Sequence, residues 1–147
     1  MSQAIRRAIY GKLAGDSTLN ALLATPPTGA THSIYHQQAP DKADAPFVIF
    51  NQQAGTPAYT LGSRAYDNEV WHIRGVASSA TASTSSPDDV ADAISTRLNA
   101  LLTDGTLSIS GATQLYLRRE SNVEYSEQPT GQPRYVYAGA LYRLMYQ

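Results

Sequence analysis

The sequence predicts an α+β domain in which one mostly antiparallel sheet carries an N-terminal helix and a central helix on a single face. Three observations predict it. Apolar residues recur at helical spacing near the start and in the middle, β-branched and aromatic runs group between and after those segments, and no internal repeat is visible. At 147 residues the chain is expected to form one domain spanning 1–147. A domain of that size hides roughly two-thirds of the surface its unfolded chain would expose, enough for a core without disulfides or a structural metal.

Ile5, Ile9 and Leu13 recur every four positions and define one side of a first helix from Ser2 to Gly15. Gly15-Asp16 stops it, and Ser17 restarts a short run bearing Leu19, Leu22 and Leu23 before Thr25-Pro26-Pro27 ends the hairpin. Ser33–His36 reads as a brief strand. The continuous apolar run Phe47-Val48-Ile49-Phe50 predicts a strand from Pro46 to Gln53 covered on both faces. Ala54 to Ala65, with two Gly and one Pro, predicts a protruding loop or a loose hairpin tip. From Tyr66 to Ala77 a long strand places Trp71, Ile73 and Gly75 on one side, and Val70, His72 and Arg74 on the other.

Ser78 to Ser86 is almost wholly Ser, Thr and Ala, which predicts a mobile crossover. Ser86-Pro87-Asp88-Asp89 then supplies a cap, a proline at the first helical position and acids in the first turn. Val90, Ile94, Leu98 and Leu101 form the expected buried stripe of that helix, and Asp104-Gly105 ends it. Strands are expected at Thr106–Ser110, Leu115–Tyr125 and Tyr135–Tyr146, the last two joined as a hairpin through Pro129-Thr130-Gly131-Gln132-Pro133. The last strand, apolar or aromatic on both faces, suggests an edge that meets something else, with self-association the economical candidate.

Composition narrows the function. The chain has no Cys, which excludes thiol nucleophiles, Cys-ligated zinc and iron–sulfur clusters. A formal net charge of -1 denies it the positive field that sequence-independent nucleic-acid or anionic-lipid binding needs. No run approaches the roughly 20 apolar residues of a membrane helix, and no apolar segment follows Arg6-Arg7 as a signal peptide would require. The expected setting is a cytoplasm, with any exit by lysis.

The candidate catalytic groups read as structural. His32 and His36 on an extended segment stand about 13 Å apart at roughly 3.3 Å per residue, too far to share a metal. Asp88, Asp89 and Asp92 are what a helix start already favours. Asp67 and Glu69 share one strand side and read as solvated charges, and no phosphate-loop, dinucleotide or nucleophile-elbow motif occurs. No catalytic residue, metal or cofactor is expected. Ten Tyr and nine Arg stand against two Lys and two Phe, a bias toward the residue types favoured at protein interfaces. The expected interface residues are Tyr59, Arg64, Tyr66, Arg118, Arg119, Tyr142 and Tyr146. Replacing Tyr142 and Tyr146 by Ala is expected to weaken self-association more than folding.

Several segments in order resemble the tail completion or tail terminator proteins of long-tailed bacteriophages. Ala8-Ile9-Tyr10-Gly11-Lys12-Leu13 with Asp16-Ser17-Thr18-Leu19-Asn20-Ala21-Leu22-Leu23 is similar to that family's opening helix and its sequel. Ser33-Ile34-Tyr35 before Ala39-Pro40, then Ala45-Pro46-Phe47-Val48-Ile49-Phe50, resembles its short strand, Ala-Pro loop and following strand. Trp71-His72-Ile73-Arg74-Gly75-Val76, the Ala91–Leu102 helix and the closing strands with Arg134 complete the order. The sequence departs from the family at Ser78–Ser86 and between Gly105 and Gly111.

The resemblance implies a homohexameric ring at the head-proximal end of the tail tube, at the head–tail junction of a virion assembled in a bacterial cytoplasm. Such a ring ends tube polymerisation and joins tail to head. Its implied partners are copies of itself, the tail tube protein and a head–tail connector or neck protein, with DNA passing through unbound and no membrane involved. Ala54–Ala65 and Ser78–Ser86 would then become ordered on contact with tube or neck. A neighbouring neck or head-completion component is the alternative within the same physics. A small hydrolase or ligand-binding domain using His72 with Asp67 or Glu69 is the alternative from another class.

Overall fold

A computed structural model describes residues 2–81 and 85–147. Its elements are α1 (Ser2–Ala14), α2 (Ser17–Leu22), β1 (Ile34–His36), β2 (Phe47–Thr60), β3 (Ser63–Ser78), α3 (Pro87–Leu102), β4 (Gln114–Glu127) and β5 (Tyr135–Tyr146). The five strands form one sheet in the order β1-β2-β3-β5-β4, antiparallel throughout except for the β1–β2 pair. The expected α+β class is what the chain adopts.

All three helices pack on one face of this sheet. α1 buries Ile5, Ala8, Ile9 and Leu13 in a core shared with Phe50, Trp71, Ile73, Tyr142 and Leu144. The turn into α2 is tied by polar groups: Asp16 accepts from the Leu19 N–H at 2.7 Å, and the Asn20 amide donates to the carbonyls of Leu13, Ala14 and Asp16. These bonds satisfy helix-end groups that would otherwise lack partners. Asp16 also takes a two-point contact from Arg97 of α3, at 2.6 and 2.8 Å, and that guanidinium holds its carboxyl below the usual range. One carboxylate thereby links α2 to α3.

α3 starts on the expected cap, with Ser86 Oγ accepting from the Asp89 N–H at 3.2 Å and Pro87 in the first turn. Its buried residues are Ala91, Ile94, Leu98 and Leu102, while Val90 and Leu101 are half-buried. The stripe is therefore turned by one residue at each end from the expected one. The turn brings small Ala91 onto Ala77, Val136 and Ala138, and larger side chains would hold the helix off. Contact is close at Gly75 too, where a Cβ would lie 2.5 Å from Ile94 Cγ2.

Three expectations need correction and one a refinement, since the hairpin tip expected at Ala54–Ala65 is present but regular, not loose. Ala54–Ala65 is a continuation of β2 and β3, paired from Ala54↔Val70 to Thr60↔Ser63 and turned at Leu61-Gly62, both at positive φ. Hydrogen bonding across the two strands, rather than packing on the body, orders it. Thr106–Ser110 is no strand: the Leu107 N–H donates to the Gln114 side chain, and Leu107 and Ile109 reach into the core from an irregular segment. β5 lies between β3 and β4 and is no edge, so its two apolar faces are explained inside the subunit. Glu69 is buried, 7% exposed, where a solvated charge was expected. The Ser78–Ser86 crossover falls partly on residues 82–84, outside the described ones; before them, Ser79 bonds to Arg134 and Thr81 to Ala45.

Candidate assembly surfaces

The surfaces that can meet other proteins follow from where the sheet stops. β1 covers only Val48–Phe50 of β2, so among the described residues the outer backbone of β2 has no paired strand from Asn51 to Thr60. Ten residues at roughly 3.3 Å each make that open edge about 33 Å long. β5 pairs with β3 only as far as Asp67↔Tyr146, so beyond that level β2 and β3 continue as a two-stranded arm. Tyr59 is 66% exposed there, and Leu61 is fully exposed at the tip.

The opposite edge differs in character. β4 carries Arg118, Arg119, Glu120, Glu124 and Glu127, and is interrupted by bulges at Gln114/Tyr116 and Arg119/Ser121. Charges and bulges of this kind discourage chance strand pairing. Several of the charges are satisfied within the subunit: Arg118 pairs with Asp104, and Glu120 with Arg143. Register across the sheet is continuous, one row running Ile34–Val48–Gly75–Ala138–Glu124 from edge to edge.

The structure distributes the seven expected interface residues over three places. Tyr59, Arg64 and Tyr66 lie on the arm, with Arg64 reaching Asp67 at 3.5 Å. Arg118 and Arg119 lie on the β4 edge, and the Arg118 guanidinium stands 5.9 Å from the Tyr116 ring centre. Tyr142 and Tyr146 are 0% and 3% exposed and pack in the core. The alternation of β3 and β5 turns both rings under the helices, so neither is offered to a neighbour, and their truncation would open cavities in the fold.

Histidines and acids are likewise dispersed. His32 takes a 3.3 Å contact from the Tyr10 hydroxyl, and His36 packs on Phe50 and Trp71. Burial and then the nearby Arg6 push the His36 pKa down. Odd-numbered β3 residues face the helices, so Asp67 and Glu69 lie across the sheet from His72, and the pairing a hydrolase would need is not assembled.

His72 is buried on the face away from the helices, where Arg74 Nη1 lies 3.2 Å from its Nδ1 and donates to Asn51 Oδ1 at 2.8 Å. Burial, then the Arg74 charge, lowers its pKa to about 4. An unfolded chain binds that proton near pH 6.5 while the folded one refuses it, so stability is complete above about 6.5 and is lost as pH falls toward 4. The loss is expected to reach at most about 3 kcal/mol at the acid end. Urea titrations at about pH 7 and about pH 5 should show the decline in the native chain and a flatter profile in His72→Gln; equal slopes would refute it.

An open-edged sheet with a projecting arm and differently guarded sides leaves distinct surfaces on which other proteins can fit. The family described as tail completion protein gp17 matches residues 7–136, and the chain belongs to it. It is a structural protein of a bacteriophage tail, and a virion component. Among solved structures, a chain described as from the virion of a native gene transfer agent particle shares the fold: TM-score 0.73 at 15% identity, covering 99% of this chain and 97% of that one. A second solved chain, 19% identical over 99% of this chain and 94% of its own, overlaps with a TM-score of 0.49. No curated protein matches.

The residues that sequence reasoning passed over as contact groups are Arg6, Arg7, Asp92 and Glu124. None of the four has an ion-pair partner among the described residues. That signal is invisible without the fold.

Proposed function

We propose that this chain, acting as a single tail-terminator domain over 1–147, forms a homohexameric ring on the head-proximal end of the tail tube, stops tube growth and joins the tail to the head. The observation that carries the reading is the pair of unlike open edges on one sheet, β1 with the β2 arm on one side and β4 on the other. Unlike edges favour head-to-tail contacts, and a ring is the form in which such contacts close. Family membership supplies the tail setting. The arm, through Tyr59, Leu61, Arg64 and Tyr66, is the element that reaches beyond the ring to the tube or to a connector or neck protein. Arg118 and Arg119 serve the contact between copies. A subunit of net charge -1 lets DNA slide through the hole without holding it.

Replacing residues 58–66 by an Asn-Gly turn between Pro57 and Asp67 tests this, since the arm contributes little to the core and the short turn suits the hairpin. The shortened protein is expected to melt within a few degrees of the parent, while virions carrying it make tails that overgrow and fail to join heads. Tails of normal length on infectious particles would overturn the proposed role. Size-exclusion light scattering of the parent should give six-subunit mass, in solution or on added tube ends.

A further inference from the structure

The two edges of the sheet carry opposite charge at the same level and on the same face. On one side, α1 packs over β1 and presents Arg6 and Arg7 beside a groove lined by Ile34, His36 and Phe50. On the other, α3 and β4 leave a cleft of about 260 Å³ lined by Asp92, Ser95, Asn99, Arg119, Asn122 and Glu124. Glu124 is paired with Ala138, which packs against Ala91 of α3, so its side chain lies on the helix-bearing face, as does α1. The row from Ile34 to Glu124 sets both features at one height along the strands. Two acids against Arg119 leave the cleft net negative, and Arg6 and Arg7 leave the other edge positive. A ring operation with its axis along the strands moves a copy sideways with no shift along them, and so brings these two edges together.

Resting on the ring reading, we propose that Arg6 and Arg7 of one copy seat in the α3–β4 cleft of the next and pair there with Asp92 and Glu124, fixing the order and spacing of subunits. The pairing is heterologous, each copy giving cations on one side and receiving them on the other. Guanidinium groups suit it, because their planar donors can bridge two carboxylates.

Reciprocal charge reversal on the full chain tests it. One variant carries Arg6→Glu with Arg7→Glu, the other Asp92→Arg with Glu124→Arg. Each alone puts like charges at every contact, and the concentration needed for ring formation should rise about 100-fold or more. An equimolar mixture alternates the two, restores every opposite-charge contact and returns six-subunit mass, whether in solution or on tube ends. The neutral pairs Arg6→Gln with Arg7→Gln, and Asp92→Asn with Glu124→Gln, should give about tenfold weakening and guard against misfolding of the reversed chains, which melting by circular dichroism also checks. Variants that form rings as readily as the parent would overturn this pairing and leave the ring reading standing, as would folded variants that the mixture fails to rescue. A parent chain that forms no ring in solution or on tube ends would overturn both.

Discussion

Glu69→Ala is expected to cost the fold about 3 kcal/mol or more, because it strands two buried donors at once. The carboxylate accepts from Trp71 Nε1 at 2.7 Å through one oxygen and from the Tyr146 hydroxyl at 2.8 Å through the other. Burial and then the hydrogen bond to Glu69 raise the Tyr146 pKa, so the phenol stays a donor. Glu69→Gln should fall between, since its amide keeps one acceptor and turns a second donor toward an existing one. Trp71 is the sole tryptophan, so urea unfolding followed by its fluorescence reads the site directly. An unchanged midpoint in the alanine variant would refute the account.

Gly139→Ala is the second large effect expected. A Cβ there would lie 2.2 Å from the Ile73 carbonyl oxygen and 2.5 Å from Arg74 Cα, both backbone atoms of the neighbouring strand β3. Neither strand can yield without disturbing a ladder that continues on both sides, so overpacking of about 3 kcal/mol or more is expected. Gly11→Ala is the control, since nothing lies within 4 Å of a Cβ at that exposed helical position. Thermal unfolding should show a marked drop for the first and none for the second. Equal melting temperatures would mean the strands do not approach so closely in solution.

Much of the fold was legible because local signals and burial agree. The Ser86-Pro87 start of α3 and the hairpin of β4 with β5 read directly from capping and turn chemistry, and β5 occupies the expected residues. The failures have one source, the dependence of strands on partners. Ala54–Ala65 carries Gly and Pro and no apolar alternation, and is a strand because β2 and β3 supply each other's hydrogen bonds. Thr106–Ser110 has strand-like composition, yet its backbone meets the Gln114 side chain in place of a strand ladder. Glu69 alternates as a surface charge would, and only the fold brings the donors Trp71 and Tyr146 to it.

The same limit governs the interface residues. Tyr and Arg content pointed to contact surfaces, but composition says nothing of which side a ring faces, and alternation turned Tyr142 and Tyr146 inward. Arg6, Arg7, Asp92 and Glu124 gain meaning only from register, which places distant residues at one height.

The bare flank of β2 has a practical corollary for anyone storing the purified protein. Asn51 through Thr60 contain no charged residue, and Pro57 is the one guard along it, so the stretch before that proline can take up further copies edge to edge when its natural mates are missing. Stocks kept concentrated should gain thioflavin signal with time, and Thr56→Lys should lengthen their shelf life without altering the melt.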